Sequence, residues 1–183
     1  MWKLLAYVLF PPTLCWNLLQ CRVLHRWRWW DRINDHLIVG ALPFPGDVNR
    51  LYEEGVRAVV NTCREYAGPL DEYRRLGIQQ LRIPTTDFTP PELQDVASAV
   101  SFIEDHVQQG ECVYVHCKAG RGRSATVAIC WLMASQQISP EKAQEILVER
   151  RPQTMRKVST RQVVQQFRAS LNGKKLQKFG ADH

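Results

Sequence analysis

The chain has 183 residues, 45% hydrophobic and 23% charged, with a net charge of +6. That length suits one domain with a short appendage, and that balance excludes a disordered or collagen-like chain. Its six cysteines, Cys15, Cys21, Cys63, Cys112, Cys117 and Cys130, contain no C-x-x-C pair, which argues against a zinc ribbon, and a core of this size needs no disulfide scaffold.

Leu4 to Cys21 is an uncharged apolar run. It is barely long enough to span a bilayer, and Pro11-Pro12 at its centre is expected to break or kink a helix there. Arg22, Arg26 and Arg28 follow, interleaved with Trp27, Trp29 and Trp30, as at an interfacial anchor. The absence of acids through residue 30 also fits an organelle-targeting segment, and a buried N-terminal helix is a third reading. Residues 1–28 are expected to be a membrane-anchoring or targeting segment. If they insert, the trailing arginines keep the body of the protein on the cytosolic or matrix side.

His36 to Leu42 reads as a strand closed by Pro43, Asp47 to Glu54 as a short helix ending at Gly55, and Val56 to Thr62 as a β-branched strand. Leu70 to Leu76 reads as a short helix and Ile78 to Ile83 as a strand closed by Pro84. Pro90-Pro91 is expected to open a helix with apolar residues at Leu93, Val96, Val100, Ile103 and Val107. Cys112 to His116 is a buried strand, followed by a glycine-bearing loop and an apolar helix from about Arg123 to Ser135. Ser139-Pro140 caps another helix, and a last one runs from Ser159 to Leu171. This alternation predicts an α/β fold: one domain over 29–171, with a mainly parallel twisted sheet flanked by helices on both faces. Residues 172–183 read as a frayed basic tail.

The chemistry concentrates in Val115-His116-Cys117-Lys118-Ala119-Gly120-Arg121-Gly122-Arg123-Ser124. A tight loop between a buried strand and a helix lies where open α/β sheets bind ligands. Its amides and the helix N-terminus favour an anion, and Gly120 and Gly122 let the backbone curl. Arg123 can clamp two phosphate oxygens. A cysteine in such a cradle is expected to ionise below its usual range and act as a nucleophile. The other five cysteines lack this setting and read as packing residues. The pattern is not a nucleotide-binding loop, because G-x-x-x-x-G-K-[ST] is absent.

His116-Cys117-x-x-Gly120-x-x-Arg123-Ser124 resembles the signature loop of the cysteine-based dual-specificity and tyrosine phosphatases. Trp30-Asp31-Arg32-Ile33, Gly40-Ala41-Leu42-Pro43, Asn61 with Glu65-Tyr66, Leu76-Gly77-Ile78 and Thr86-Asp87 extend the likeness to the mitochondrial phosphatidylglycerophosphatase branch, over roughly residues 29–170. The resemblance implies a dual-specificity-phosphatase fold and catalysis without metal or cofactor. It implies that Cys117 forms a phosphocysteine, that Arg123 binds the phosphoryl oxygens and that Ser124 bonds the sulfur. It also implies that His116 supports the loop and the cysteine's ionisation. Phosphate would be bound by the Lys118, Ala119, Gly120, Arg121 and Gly122 stretch.

A leaving alkoxide needs a proton donor. Asp87, in a loop after a strand, matches the family's acid, with Asp71 and Asp95 as alternatives. Lys118 and Arg121 add cations that suit a substrate with a second anionic group. Glu65 and Tyr66 fall where they would line the pocket. In this branch animal members often carry Ser at the position of Gly122 and plant-like members Gly.

The expected function is dephosphorylation of phosphatidylglycerophosphate on the route to cardiolipin. The expected partners are an anionic phospholipid and a membrane surface, with phosphoproteins or phosphoinositides as alternative substrates. A eukaryotic source would imply the matrix side of the mitochondrial inner membrane, and a bacterial one the cytoplasmic membrane. A catalytically dead phosphate-binding module is the contrasting class, but cysteine, arginine and acid are all present. No nucleic-acid partner is expected, since no RNA- or DNA-binding module accompanies the basic ends.

Overall fold

The structure, a computed structural model, describes residues 2–180. A five-stranded sheet is ordered β1-β2-β5-β3-β4, from Trp30–Asn34 (β1), Leu37–Gly40 (β2), Val56–Cys63 (β3), Gln79–Thr85 (β4) and Cys112–His116 (β5). β1 and β2 pair antiparallel; β2, β5, β3 and β4 run parallel. The helices are α1 (Trp2–Leu18), α2 (Val48–Glu53), α3 (Leu70–Leu76), α4 (Leu93–Gln108), α5 (Arg123–Gln136), α6 (Pro140–Arg150) and α7 (Gln162–Gly180). A π turn over Leu19–Val23 continues α1.

Strand alternation divides the core in two. Leu37, Val39, Ala58, Val60, Val113 and Val115 face α4, α5, α6 and α7. Ile38, Val59 and Tyr114 face the other way, onto Val48, Leu51, Tyr73 and the Trp29-Trp30 pair. Helices cover both faces of a mostly parallel sheet, as the sequence predicts.

Several elements differ from expectation. β1 is additional: Asn34 Oδ1 accepts from His36 N at 3.0 Å, and this tight turn folds five residues back onto β2. β4 runs through Pro84 to Thr85, which an edge strand tolerates because one side needs no ladder donor. Pro90 and Pro91 stay outside α4, which begins at Leu93 behind Glu92; a proline disfavours helical geometry in the residue before it. Ser139 caps α6 by accepting from Lys142 N.

The two termini differ most. α1 passes through Pro11 and Pro12 without a break. Its inner face packs on the domain, and that tertiary contact outweighs two missing donors. At the other end α7 continues to Gly180 where a frayed tail was expected. Lys174, Lys175, Leu176 and Lys178 are good helix formers, and basic residues suit a helix C-terminus. The rest of that tail, 181–183, lies outside the described residues.

Candidate active site

Three parallel neighbours, β5, β3 and β4, deliver their carboxyl ends to one edge of the sheet. The loop after β5 carries Cys117, the loop after β3 carries Glu65 and the loop after β4 carries Asp87. Residues from two of these loops, Cys117 and Asp87, line a pocket of about 560 Å³ together with Lys118, Ala119, Arg121, Gly122 and Arg123. This is the crevice at strand ends where open α/β sheets take ligands.

The loop closes tightly. Gly120 has φ +67, and a Cβ there would run into the main chain of Gly40 and the guanidinium of Arg151. Gly120 N donates to Cys117 Sγ at 3.2 Å and Ser124 Oγ donates at 3.4 Å. Burial pushes the Cys117 thiol up, but the Arg123 charge, the Ser124 hydroxyl and the Ser124 and Arg121 amides outweigh it and bring it down to about 6. Burial raises Cys21, Cys63, Cys112 and Cys130 instead, Cys130 to about 12. Cys117 is therefore largely thiolate at neutral pH, the nucleophilic form.

Arg123 opens α5 and is buried. Its Nη1 donates to Glu65 Oε2 and to Thr85 O, both at 2.8 Å, and its Nη2 donates to Asp87 Oδ1 at 2.9 Å. Burial disfavours its charge, but the sulfurs of Cys63 and Cys117 and the two carboxylates hold its pKa above the ordinary range. Glu65 also accepts from Asp87 N through Oε1 at 2.8 Å, so one carboxylate fixes both the guanidinium and the Asp87 loop. The sequence placed Glu65 on the pocket wall; the structure buries it behind the wall. Phe88, next to Asp87, takes φ +65, a costly conformation for a non-glycine residue and one found at functional turns.

Lys118 does not stand free in the pocket. Its Nζ donates to Asp87 Oδ2 and, at 2.6 Å, to Thr13 Oγ1 of α1. The rings of Phe10 and Phe88 lie 5.3 and 5.2 Å from it. Arg121 sits over the Trp27 ring at 4.3 Å and donates from Nε to Gln153 O; burial and the Arg151 charge lower its pKa. Asp71 and Asp95, the alternative acids, lie on α3 and α4; Asp71 pairs with exposed Arg74, and burial and Glu92 raise the Asp95 pKa.

His116 differs from the expected electrostatic support. Burial pushes its pKa down to about 3, outweighing the opposing effect of the Cys117 main chain, and the Arg123 charge adds to the fall. A neutral ring brings no cation to the thiolate. It stacks on Tyr114 at 5.6 Å and meets the edge of Tyr66 at 6.4 Å, so its part in the loop is packing. Its carbonyl accepts from Thr62 Oγ1. Tyr66 lies outside the pocket wall and donates its hydroxyl to Pro43 O at 2.6 Å.

Sequence reasoning passed over Arg151, which is almost wholly buried under the loop. It donates to Gly120 O at 2.7 Å, Ala119 O at 3.0 Å and Asp31 Oδ2 at 2.6 Å. In Glu149-Arg150-Arg151-Pro152 it looks like an ordinary basic helix end. Arg161 was passed over too; it ties Gly122 O to Thr126 Oγ1.

Residues 47–169 match the family model of the dual specificity phosphatase catalytic domain. The chain is 39% identical over 163 residues to the phosphatidylglycerophosphate phosphatase PTPMT2 of Arabidopsis thaliana, covering 87% of this chain and 72% of that one. It is 36% identical over 180 residues to the phosphatidylglycerophosphatase and protein-tyrosine phosphatase 1 of Mus musculus, covering 93% of each. The crystal structure of PTPMT1 in complex with PI(5)P superimposes with a TM-score of 0.74 at 32% identity, covering 80% of this chain and 99% of that chain. The chain thus belongs to the dual specificity phosphatase family, as a cysteine-dependent phosphatase.

Proposed function

We propose that the protein removes the terminal phosphate of phosphatidylglycerophosphate at a membrane surface, leaving phosphatidylglycerol. One observation carries this reading over a phosphoprotein substrate: the anion cradle opens through a mouth that is both cationic and apolar. Lys118 and Arg121 flank the nucleophile, while Trp16, Phe88 and Met155 line the same pocket with exposed side chains. Such a mouth suits a phosphomonoester joined, through glycerol and a second phosphate, to acyl chains. The names of the relatives and the PI(5)P complex of the neighbour support a phospholipid substrate.

In this reading the incoming phosphoryl group takes Nη2 of Arg123 from Asp87, and the loop amides hold its remaining oxygens. The Cys117 thiolate attacks phosphorus, the P–O bond to glycerol breaks, and Asp87 delivers a proton to the departing oxygen. The Asp87 carboxylate then takes a proton from water. That water attacks the phosphocysteine, the S–P bond breaks, and the Ser124 hydroxyl receives the returning thiolate. Glu65 positions Arg123 and Asp87 throughout. The 29–171 region serves as the catalytic domain and residues 1–28 as the membrane-directed segment.

The test is phosphate release in detergent micelles from phosphatidylglycerophosphate, phosphoinositides and a phosphotyrosyl peptide. The expected order puts phosphatidylglycerophosphate first in kcat/KM. A higher value for the peptide would assign the site to phosphoproteins.

A further inference from the structure

The N-terminal helix is apolar on two faces. Its inward face packs Leu14, Leu18 and buried Cys21 on the core, beside Thr13 and the buried Asn17 and Gln20. Its outward face carries Val8, Trp16, Leu19 and, in the π turn, Val23, exposed by 63, 58, 38 and 64%. Their spacing follows the helical repeat. A helix that lies on a soluble domain turns its apolar stripe inward and a polar face outward; this one carries a second apolar stripe on its outer face, with no charged side chain from Leu4 to Cys21.

We propose that α1 and its π turn lie in the plane of an anionic phospholipid bilayer, with the Val8–Trp16–Leu19–Val23 stripe among the acyl chains and the active-site mouth against the membrane. Among the described residues no helix is long and apolar enough to cross a membrane, and an exposed apolar stripe along one helix face suits an in-plane arrangement. The stripe runs into the catalytic mouth, because Trp16 belongs to both and Phe88 and Met155 extend the exposed apolar rim beyond it. The inner face is tied to the loop itself through Thr13 and Lys118. Charge complements this: Arg26 and Arg28 follow the stripe and Arg156 lines the mouth, all exposed, where anionic head groups would meet them.

The inference rests on the lipid reading above and adds how the substrate arrives. The test uses the full chain, vesicles of phosphatidylcholine with or without phosphatidylglycerol, and the double variant Leu19→Glu/Val23→Glu, which lies outside the pocket. The parent is expected to sediment with the anionic vesicles, and the variant to bind them at least about tenfold more weakly. Its kcat/KM on a soluble aryl phosphate is expected to equal the parent's, while its rate on vesicle-held phosphatidylglycerophosphate falls in step with binding.

Undiminished vesicle binding by the variant, or no binding by the parent, overturns the proposal. So does self-association of the parent that the two charges abolish while vesicle binding persists, which would give the stripe to a second copy of the chain. Should the variant lose aryl phosphatase activity, the parent is tested with lipids brominated on their acyl chains. Quenching of indole fluorescence that disappears in Trp16→Phe supports the arrangement, and quenching unchanged by that substitution, or absent, refutes it. Hydrolysis in micelles without vesicle binding would sink this inference alone, whereas vesicle binding without lipid hydrolysis in micelles would sink the lipid reading.

Discussion

Arg151 Nε donates to the carbonyl oxygen of Gly120 at 2.7 Å, reaching from the end of α6 to the middle of the anion-binding loop. A trans peptide points its C=O and N–H in opposite directions. By holding the carbonyls of Ala119 and Gly120 outward, Arg151 turns the amides of Gly120 and Arg121 towards the sulfur. Asp31 balances the buried guanidinium at 2.6 Å.

Arg151→Met is therefore expected to lower kcat by about a hundredfold, the scale of losing a fixed donor from an oxyanion site. The Cys117 pKa should rise with it, read from the pH dependence of alkylation. Stability should fall by about 3–5 kcal/mol because Asp31 is left unpaired. Adding Asp31→Asn should restore much of the stability and leave the thiol pKa raised. If the double variant recovered both, Arg151 would be a structural residue only.

The Cys117 ionisation gives a pH signature. Its folded pKa, about 6, lies below the ordinary thiol value of 9.0. An acid whose folded pKa is depressed adds stability that is fully present above the unfolded pKa and lost as pH falls through the folded one. The unfolding free energy of the parent relative to Cys117→Ser should thus grow between pH 6 and 9, by about 4 kcal/mol at most. The rising limb of kcat/KM should have its midpoint near 6. A flat difference in stability across that window would mean the thiol is not ionised by the fold.

The strand–helix alternation and the Cys117–Ser124 loop were legible because each depends on neighbours in sequence: apolar periodicity in β3 and β5, and a cradle built within eight residues. What was not legible depends on distant partners. Arg151 acquires its meaning from Asp31 and Gly120, neither of which is near it in the chain. Glu65 could be placed near the pocket from its loop position, but its hold on Arg123 and Asp87 requires β3, β4 and β5 to end side by side. The apolar N-terminal run was visible, whereas the face it turns outward was not.

Asp87 and Glu65 should separate by leaving group. Asp87→Asn should lower kcat strongly for an alkyl phosphate, by the roughly 10²–10⁴-fold range of general acids, and much less for an aryl phosphate whose leaving group needs no proton. Glu65→Gln should slow both esters, since its amide would disturb the Arg123 clamp that every substrate uses, and the alkyl ester somewhat more, since Glu65 also holds the Asp87 loop. An Asp87→Asn defect of equal size on both esters would remove Asp87 from the acid role.

The two loop glycines should respond in opposite ways. Gly120→Ala places a Cβ on a left-handed backbone and against Gly40 and Arg151. Neither main chain nor buried guanidinium can retreat cheaply, so activity should fall by at least about a hundredfold and stability by about 1–3 kcal/mol. Gly122 has no left-handed φ, and a Cβ there meets the Met155 sulfur at 2.8 Å, in a flexible exposed side chain, and Arg161 Nη2 at the looser 3.2 Å. Gly122→Ser should retain kcat within about threefold, since a flexible thioether swings aside at little cost. Phosphate release by the two variants on one aryl phosphate checks the pair. Equal loss in both would mean that Gly122, too, must stay bare for the cradle to close.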